Sequence, residues 1–366
     1  MKEKSAAQLY FEEEGGRLER LAPPLLRWYK EFARRLPWRE TPSPYGVWVS
    51  EIMLQQTRVE AVKGYYARFL KALPTVEALA GAEEDLLLKL WEGLGYYSRV
   101  RNLKKAAVEI MERYGGELPA DHEKLLNLPG IGRYTAGAIA SIAFGIPVPA
   151  VDGNVIRVLT RYLAWEGESV SDRFKRDLEE ALLPHLPAGQ SGTFNQALME
   201  IGATVCLPNG APLCGECPLR EECLAHLQQN ETAYPVKPEK KSRRVEERTV
   251  FVLSAEREFA LGKRSAQGLL AGMWELPGVQ GHLSPDEAKV FLQNARLSVV
   301  QVEALSPAVH IFSHVEWHMI GYRVICEKKT EGTDLVWLSP EEIDEKIALP
   351  SAFRAYRKEL RNSQRK

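Results

Sequence analysis

No apolar run in the 366 residues is long enough to cross a bilayer; the longest, Ile139 to Val151, is broken by Gly145, Pro147 and Pro149. The opening MKEKSAAQLYFEEEGG likewise has no apolar stretch of signal-peptide length, and acidic residues stand where a small-residue cleavage site would lie. These two absences predict a cytoplasmic protein without membrane contact. Net charge is nearly absent as well, −1 from 48 basic and 49 acidic residues. Composition therefore points to no nucleic-acid partner, and any DNA affinity must come from a local basic face. Cysteine is scarce, five residues in all, which excludes a disulfide-dense secreted scaffold. No internal repeat occurs. What is present, 45% apolar and 27% charged residues, is ordinary for globular domains, and the length allows two or three of them.

Residues 20 to 230 read as successive helices. Apolar residues recur at three- and four-residue spacing over Leu79–Leu90, Val100–Tyr114, Tyr134–Phe144, Asn154–Tyr162 and Phe174–Leu183, with Gly and Pro punctuating between them. After Cys223 the texture changes. ETAYPVKPEKKSRRVEER, at 231–248, is charged, carries two prolines and has no core face, which suits an exposed linker. Beyond it Val250–Ser254, Val315–Cys326 and Leu335–Leu338 read as strands and Pro285–Asn294 as a helix. The expected fold class is multidomain: an all-α core followed by a smaller C-terminal α+β domain.

Four of the cysteines, Cys206, Cys214, Cys217 and Cys223, are spaced C-x7-C-x2-C-x5-C. Clustered thiolates repel one another unless a metal holds them. Zinc usually takes two close pairs, whereas one close pair with looser flanks suits a 4Fe-4S cluster; zinc stays open at this point. Cys326, in an expected strand, reads as a buried small residue.

LLNLPGIGRYTAGA, at 125–138, joins two helices through Pro129-Gly130-Ile131-Gly132. Glycines there permit a tight turn that points backbone N–H groups and the second helix's N-terminus outward, a geometry that binds a phosphate oxygen. A Gly-rich connection without a ligand is the plainer reading of the tetrapeptide. Twenty residues on, Asp152 is a natural N-cap for a helix starting at Asn154. Beside an anchored DNA backbone, its carboxylate can also face the sugar of a flipped-out nucleotide.

Leu128 to Gly132, then Asp152, then the four cysteines together resemble the helix-hairpin-helix DNA glycosylases that carry an iron–sulfur cluster, the endonuclease III superfamily. Four segments look like its MutY-type adenine DNA glycosylases: Pro37-Trp38-Arg39, Trp48 to Thr57, Gly93-Leu94-Gly95-Tyr96-Tyr97, and Val151-Asp152-Gly153-Asn154-Val155. One departure is a seventh residue between Cys206 and Cys214, where the family usually has six; it lies in a turn-rich loop able to absorb it. The resemblance implies a cluster domain at 1–35 with 147–229, a six-helix barrel carrying the hairpin at 36–146, a linker at 230–248 and a Nudix-like lesion-recognition domain at 249–366.

It also implies hydrolysis of the N-glycosidic bond of adenine opposite 8-oxoguanine or guanine in double-stranded DNA, leaving an abasic site, with a monomer sufficient. Glu51 is then the general acid that protonates adenine, and burial would keep it protonated near neutrality. Asp152 is the ionised carboxylate that stabilises the sugar cation. Tyr134 and Asn154 are supporting hydrogen-bond partners. Tyr134 also stands where lyase members carry a Schiff-base lysine, and a phenol cannot do that chemistry. On the DNA side the resemblance places Gly130, Ile131 and Gly132 on a phosphate and Gln56 and Thr57 around the extruded base. Leu94 and Tyr96 lie in a wedge loop, Tyr96 being the residue that enters the stack. Trp38, Arg39 and Gln196 line the adenine pocket.

Leu269 to Gly278 resembles the start of a Nudix domain, but 279–300 holds no R-E-x-x-E-E metal helix, so fold and not hydrolase activity is expected. Phe312, Ser313 and His314 match the loop that reads 8-oxoguanine in the family. A rival reading makes His310, His314 and His318, every fourth residue, a metal site. Two other functions stay open: a pyrimidine-lesion glycosylase of the endonuclease III kind, and a non-catalytic cluster-bearing DNA sensor.

Overall fold

The computed structural model describes residues 4–236, 242–330 and 333–364. It divides into two compact units, Met1–Gly81 with Asn102–Glu239 and Ala82–Arg101 with Lys240–Lys366. Among the described residues no helix is long and apolar enough to cross a membrane.

Helices build the first unit, and local signals start and stop them. Ser43 Oγ accepts from Gly46 N at 3.0 Å and Pro44 opens the Pro44–Leu54 helix. Gly145, at φ 68°, ends Arg133–Phe144 in the left-handed conformation that favours glycine. The helices expected at 134, 154 and 174 form as Arg133–Phe144, Gly153–Tyr162 and Asp172–Leu182. The single helix expected over 79–90 is two, Val76–Gly81 and Glu84–Leu90, with extended backbone at Glu83 between them. The break falls where the chain passes from one unit to the other.

One core of this unit packs Phe11, Leu18, Leu21 and Leu25 against Val155, Leu159 and Tyr162 of Gly153–Tyr162 and Leu198 and Ile201 of Ser191–Thr204. Burying each such side chain contributes about 1.5–3 kcal/mol. The last two helices approach closely: a Cβ on Gly202 would stand 2.6 Å from Asn154 Cβ, so only glycine fits. Pro44–Leu54 is buried all round from Gly46 to Met53. An acid within it, Glu51, is therefore out of place on packing grounds.

The second unit is a seven-stranded sheet among its described residues: β1 Arg244–Ala255, β2 Glu258–Lys263, β3 Trp274–Glu275, β4 Gly278–Gln280, β5 Val299–Ile311, β6 Val315–Cys326 and β7 Leu335–Leu338. The order is β3-β2-β1-β6-β5, with β4 on β1 and β7 on β2. β1 and β6 run parallel from Arg244↔Val315 to Ser254↔Ile325. Both faces of this pair are covered. Val250, Val252, Trp317 and Met319 enter one core, while Phe251, Leu253, Tyr322 and Val324 enter the other, which is why Val250 to Leu253 reads as an unbroken apolar run. Pro285–Asn294 forms as expected, with a capping box from Ser284 and Glu287. Residues 82–101 join this unit through Lys89 Nζ on the Ile347 carbonyl at 2.9 Å and Arg357 Nη1 on Glu92 at 2.7 Å.

The expectation of an exposed linker over 230–248 needs correction. Tyr234 is buried, and its carbonyl accepts from Arg161 Nε at 3.1 Å. Arg244 to Arg248 already belong to β1, because β6 supplies a ladder that the charged sequence does not advertise. Residues 237–241 of the expected linker lie outside the described residues.

Candidate active site

Glu51, Tyr134, Asp152 and Asn154 line one cavity of the first unit, with Trp38, Arg39, Gln56, Thr57 and Gln196 around them. Glu51 is 6% exposed, and burial raises its carboxyl to about 7. The Tyr134 hydroxyl, from the first turn of Arg133–Phe144, donates to Glu51 Oε2 and works against that shift. Asp152 adds to it. Burial likewise pushes the Tyr134 phenol well above its ordinary value, so it remains a donor.

Asp152 caps its helix, as its own neighbours in the sequence suggested, and it also lines the cavity. Its Oδ1 accepts from Asn154 N at 2.9 Å and Val155 N at 2.8 Å, and its Oδ2 from Asn154 Nδ2 at 2.7 Å. Burial raises this carboxyl; those three donors and Arg157 pull the other way. Asn154 is held in turn, its Oδ1 accepting from Arg157 Nη2 at 2.8 Å. Arg157 continues to the Gly202 carbonyl and, through Nε, to the Cys206 carbonyl at 2.8 Å. A hydrogen-bonded line thus connects Asp152 with the first of the four cysteines.

Those cysteines are free, half-buried thiols that line a second cavity together. Burial lifts Cys214 to about 11 and Cys217 to about 12, so the thiolates need a cation or cluster beside them. A single tetrahedral zinc at about 2.3 Å from each sulfur would draw them to about 3.8 Å apart. Among the described residues, the group of donors converging within 4.8 Å is Cys214 with His226 and Glu231, not three or four cysteines. The four sulfurs are thus spread wider than one tetrahedral zinc would hold them. Donors already face the sulfurs: Arg161 Nη1 lies 3.3 Å from Cys206 Sγ, and the Leu219 backbone N–H serves Cys217, as cluster sulfurs require.

At the hairpin, Gly130 has φ 75°, and a Cβ there would stand 2.6 Å from Asn102 Cβ. Gly132 is the N-cap of Arg133–Phe144 and brings no capping side chain, which leaves the first N–H groups for another acceptor. Ile131 turns inward and is buried, anchoring the turn. Gln56, at φ 58°, follows the Gln55 C-cap of the Glu51 helix and lines the cavity.

In the second unit Tyr96 is half-exposed at φ 46°, a strained conformation for a non-glycine residue. Arg99 braces it, donating to the Leu94 and Gly95 carbonyls at 2.9 and 3.1 Å. Leu94 corrects the sequence reading: it is 6% exposed and packs in the core, although flanked by glycines. Ser313 and His314 are exposed at the β5–β6 turn. Phe312 anchors them by edge contact with Trp317, ring centroids 4.9 Å apart. The His310, His314, His318 metal reading fails. Val309 pairs with His318 across β5 and β6, so His310 and His318 point to opposite faces.

Sequence reasoning missed Arg34 and Glu200, which also line the Glu51 cavity. The available signal was an acid inside the apolar helical stretch Ala197-Leu198-Met199-Glu200-Ile201.

Comparison with known proteins identifies the family. The HhH-GPD superfamily base excision DNA repair protein model matches residues 49–184, and a NUDIX domain model matches 249–359. The adenine DNA glycosylase of Rattus norvegicus is 35% identical over 93% of this chain and 78% of its own length. That of Homo sapiens is 36% identical over 91% of this chain and 73% of its own. Among solved structures, a thermostable thymine-DNA glycosylase superposes with TM-score 0.54 at 28% identity, covering 59% of this chain and 99% of that one. A trapped endonuclease III–DNA covalent intermediate, at TM-score 0.51 and 22% identity over 59% of this chain and 98% of that one, shares the fold. With the helical hairpin, the paired carboxyls and relatives matching over nearly the whole length, the chain belongs to the adenine DNA glycosylases of the HhH-GPD superfamily.

Proposed function

We propose that the protein hydrolyses the N-glycosidic bond of adenine mispaired with 8-oxoguanine or guanine in double-stranded DNA, leaving an abasic site for base excision repair. The observation that carries this reading is Glu51, a carboxyl raised to about 7 and sharing a cavity with Asp152. Adenine leaves poorly as an anion, so the bond breaks once Glu51 delivers its proton to the ring, most usefully at N7. The departing base leaves a cation-like sugar, which Asp152 stabilises as an anion. Three donors aimed at Asp152 favour that ionised form. The two carboxyls thus divide acid and anion between them, as tuned pairs do. Tyr134 holds Glu51 through its hydroxyl, and offers no amine for a Schiff base, so hydrolysis stops at the abasic site.

Cys206, Cys214, Cys217 and Cys223 hold a 4Fe-4S cluster in this reading. When bound, the cluster supplies a covalent tie for the 206–223 loop and one-electron chemistry. In this reading 1–35 with 147–229 are its domain and 36–146 the barrel with the hairpin, although 82–101 group with the sheet unit by their contacts. Gly130, Ile131 and Gly132 offer backbone N–H groups to a phosphate, Gln56 and Thr57 border the extruded base, and Tyr96 enters the stack. Trp38, Arg39 and Gln196 receive adenine, and Ser313, between Phe312 and His314, hydrogen-bonds 8-oxoguanine.

Single-turnover base release on duplexes differing in one pair tests the reading: adenine opposite 8-oxoguanine, adenine opposite guanine, thymine opposite guanine, and thymine glycol opposite adenine. Adenine loss with strand breaks appearing mainly after alkali is the expected result. Release of a pyrimidine instead, or breaks without alkali, would overturn it. Tight binding without any release would mark a sensor.

A further inference from the structure

Glu200 lies inside the Ser191–Thr204 helix, 1% exposed, and takes no part in the reaction derived above. Its two oxygens accept four donors. Oε1 takes Arg34 Nε at 2.6 Å and the Arg34 backbone N at 3.0 Å; Oε2 takes Arg34 Nη2 at 2.8 Å and Arg39 Nη2 at 2.9 Å. Desolvating a carboxylate with two guanidiniums is costly, and an apolar side chain would pack this helix at less expense. The arrangement is set on the wall of the cavity that holds Glu51. It extends further, because the Arg39 guanidinium lies over the Tyr29 ring at 5.5 Å and the Tyr29 hydroxyl donates to Gln196 Oε1 at 3.1 Å.

We propose that Glu200 is a positioning residue for base excision: its carboxylate fixes Arg34 and Arg39 on the pocket wall and offsets the positive charge that Arg39 would otherwise bring to bear on Glu51. The inference rests on Glu51 being the acid. A cation near a buried carboxyl favours its anion, so an unbalanced Arg39 would strip the proton that the reaction needs. The groups acting on Glu51 are Tyr134 from Arg133–Phe144, Asp152 ahead of Gly153–Tyr162, and Arg39 from Pro37–Glu40. Burial and Asp152 hold the proton; Tyr134 and Arg39 draw it off. Glu200 is ionised throughout the working range. Burial disfavours its anion, but the hydrogen bonds from Arg34 and Arg39 outweigh burial and hold the carboxyl at about 2.

The test is the pH profile of single-turnover adenine release for the full chain and four variants: Glu200→Gln, Glu200→Asp, Arg39→Gln, and Glu200→Gln with Arg39→Gln. The parent profile falls through about pH 7 as Glu51 ionises. Glu200→Gln should move that falling limb down by about one pH unit, giving roughly a fivefold loss at pH 7, approaching tenfold in alkali, and little loss in mild acid. Arg39→Gln should move it up, and the double variant should return it near the parent. Glu200→Asp keeps the charge but cannot reach both arginines, so the limb should stay while the half-saturating enzyme concentration rises. A loss by the same factor at every pH, with no movement of the limb in Arg39→Gln, overturns the proposal and leaves Glu200 a structural brace. Should Glu200→Gln fail to fold by circular dichroism, Arg39→Gln decides alone, because it leaves Glu200 paired with Arg34. A parent protein without adenine release, or without a falling limb, defeats the reading of Glu51 instead.

Discussion

Thirteen polar or charged side chains are buried among the described residues of the helical unit, Glu51, Asn195 and Glu200 among them; in the sheet unit the described ones are Thr249 and Glu359. Conversely, the side chains assigned to lesion reading, Ser313 and His314, stand in solvent on a turn anchored by Phe312 and Trp317. The difference follows from what each region does in the proposed function. Proton transfer needs an acid whose affinity is set by burial and by few fixed neighbours. Reading a base needs donors that can reach it, on a rigid support. The helical unit accepts the desolvation of polar groups; the sheet unit keeps its cores apolar and displays its polar groups.

If that contrast is right, substitutions in the two units should fail differently. Glu51→Gln should lower adenine release about 10³-fold, within the span of general-acid effects. It should also stabilise the fold in alkali. The folded protein holds the Glu51 proton more tightly than the unfolded chain does, so stability is lost as pH rises through about 7. Thermal melts should therefore show the variant's gain over the parent at pH 8 and not at pH 4. A gain at both would mean that burial does not set this acid.

Asp152→Asn should cost roughly 10²-fold in release while leaving the melting temperature nearly unchanged, since asparagine caps a helix as well as aspartate. A large drop in melting temperature would turn Asp152 back into a cap. Gly202→Ala places a methyl 2.6 Å from Asn154 Cβ. Overpacking of this kind costs about 1–3 kcal/mol, and here it should also slow release roughly tenfold by shifting Asn154. Ser313→Ala should have the smallest effect. Removing one exposed hydrogen bond is worth about 1 kcal/mol, so preference for 8-oxoguanine over guanine should fall several-fold with release opposite guanine unchanged. A comparable loss opposite both bases would break the division of labour between the units.

Much of this was legible in the sequence, and the residues show why. Apolar spacing and caps placed Arg133–Phe144 and Gly153–Tyr162 within a residue of their observed starts, because those signals are local. Asp152 could be read as a cap from its own neighbours. Glu51 could not: on its own it reads as a surface glutamate, and the family resemblance singled it out. Leu94 misled, since flanking glycines suggest exposure while its side chain is in the core. Arg244 to Arg248 looked like linker because a strand's partner, here β6, lies far along the chain.

The sequence by itself determined where Arg133–Phe144 and Gly153–Tyr162 begin, which cysteines belong together, the tight hairpin at Gly130 and the absence of a Schiff-base lysine at position 134. Each depends on residue type and short spacing. Only the tertiary structure decided that Glu51 is dry enough to keep a proton to about pH 7, that Arg157 joins Asp152 to the cysteine loop, and that Glu200 gathers Arg34 and Arg39. Proton affinity and charge balance depend on what lies within a few ångströms in space, and those neighbours come from segments up to 166 residues apart in the chain.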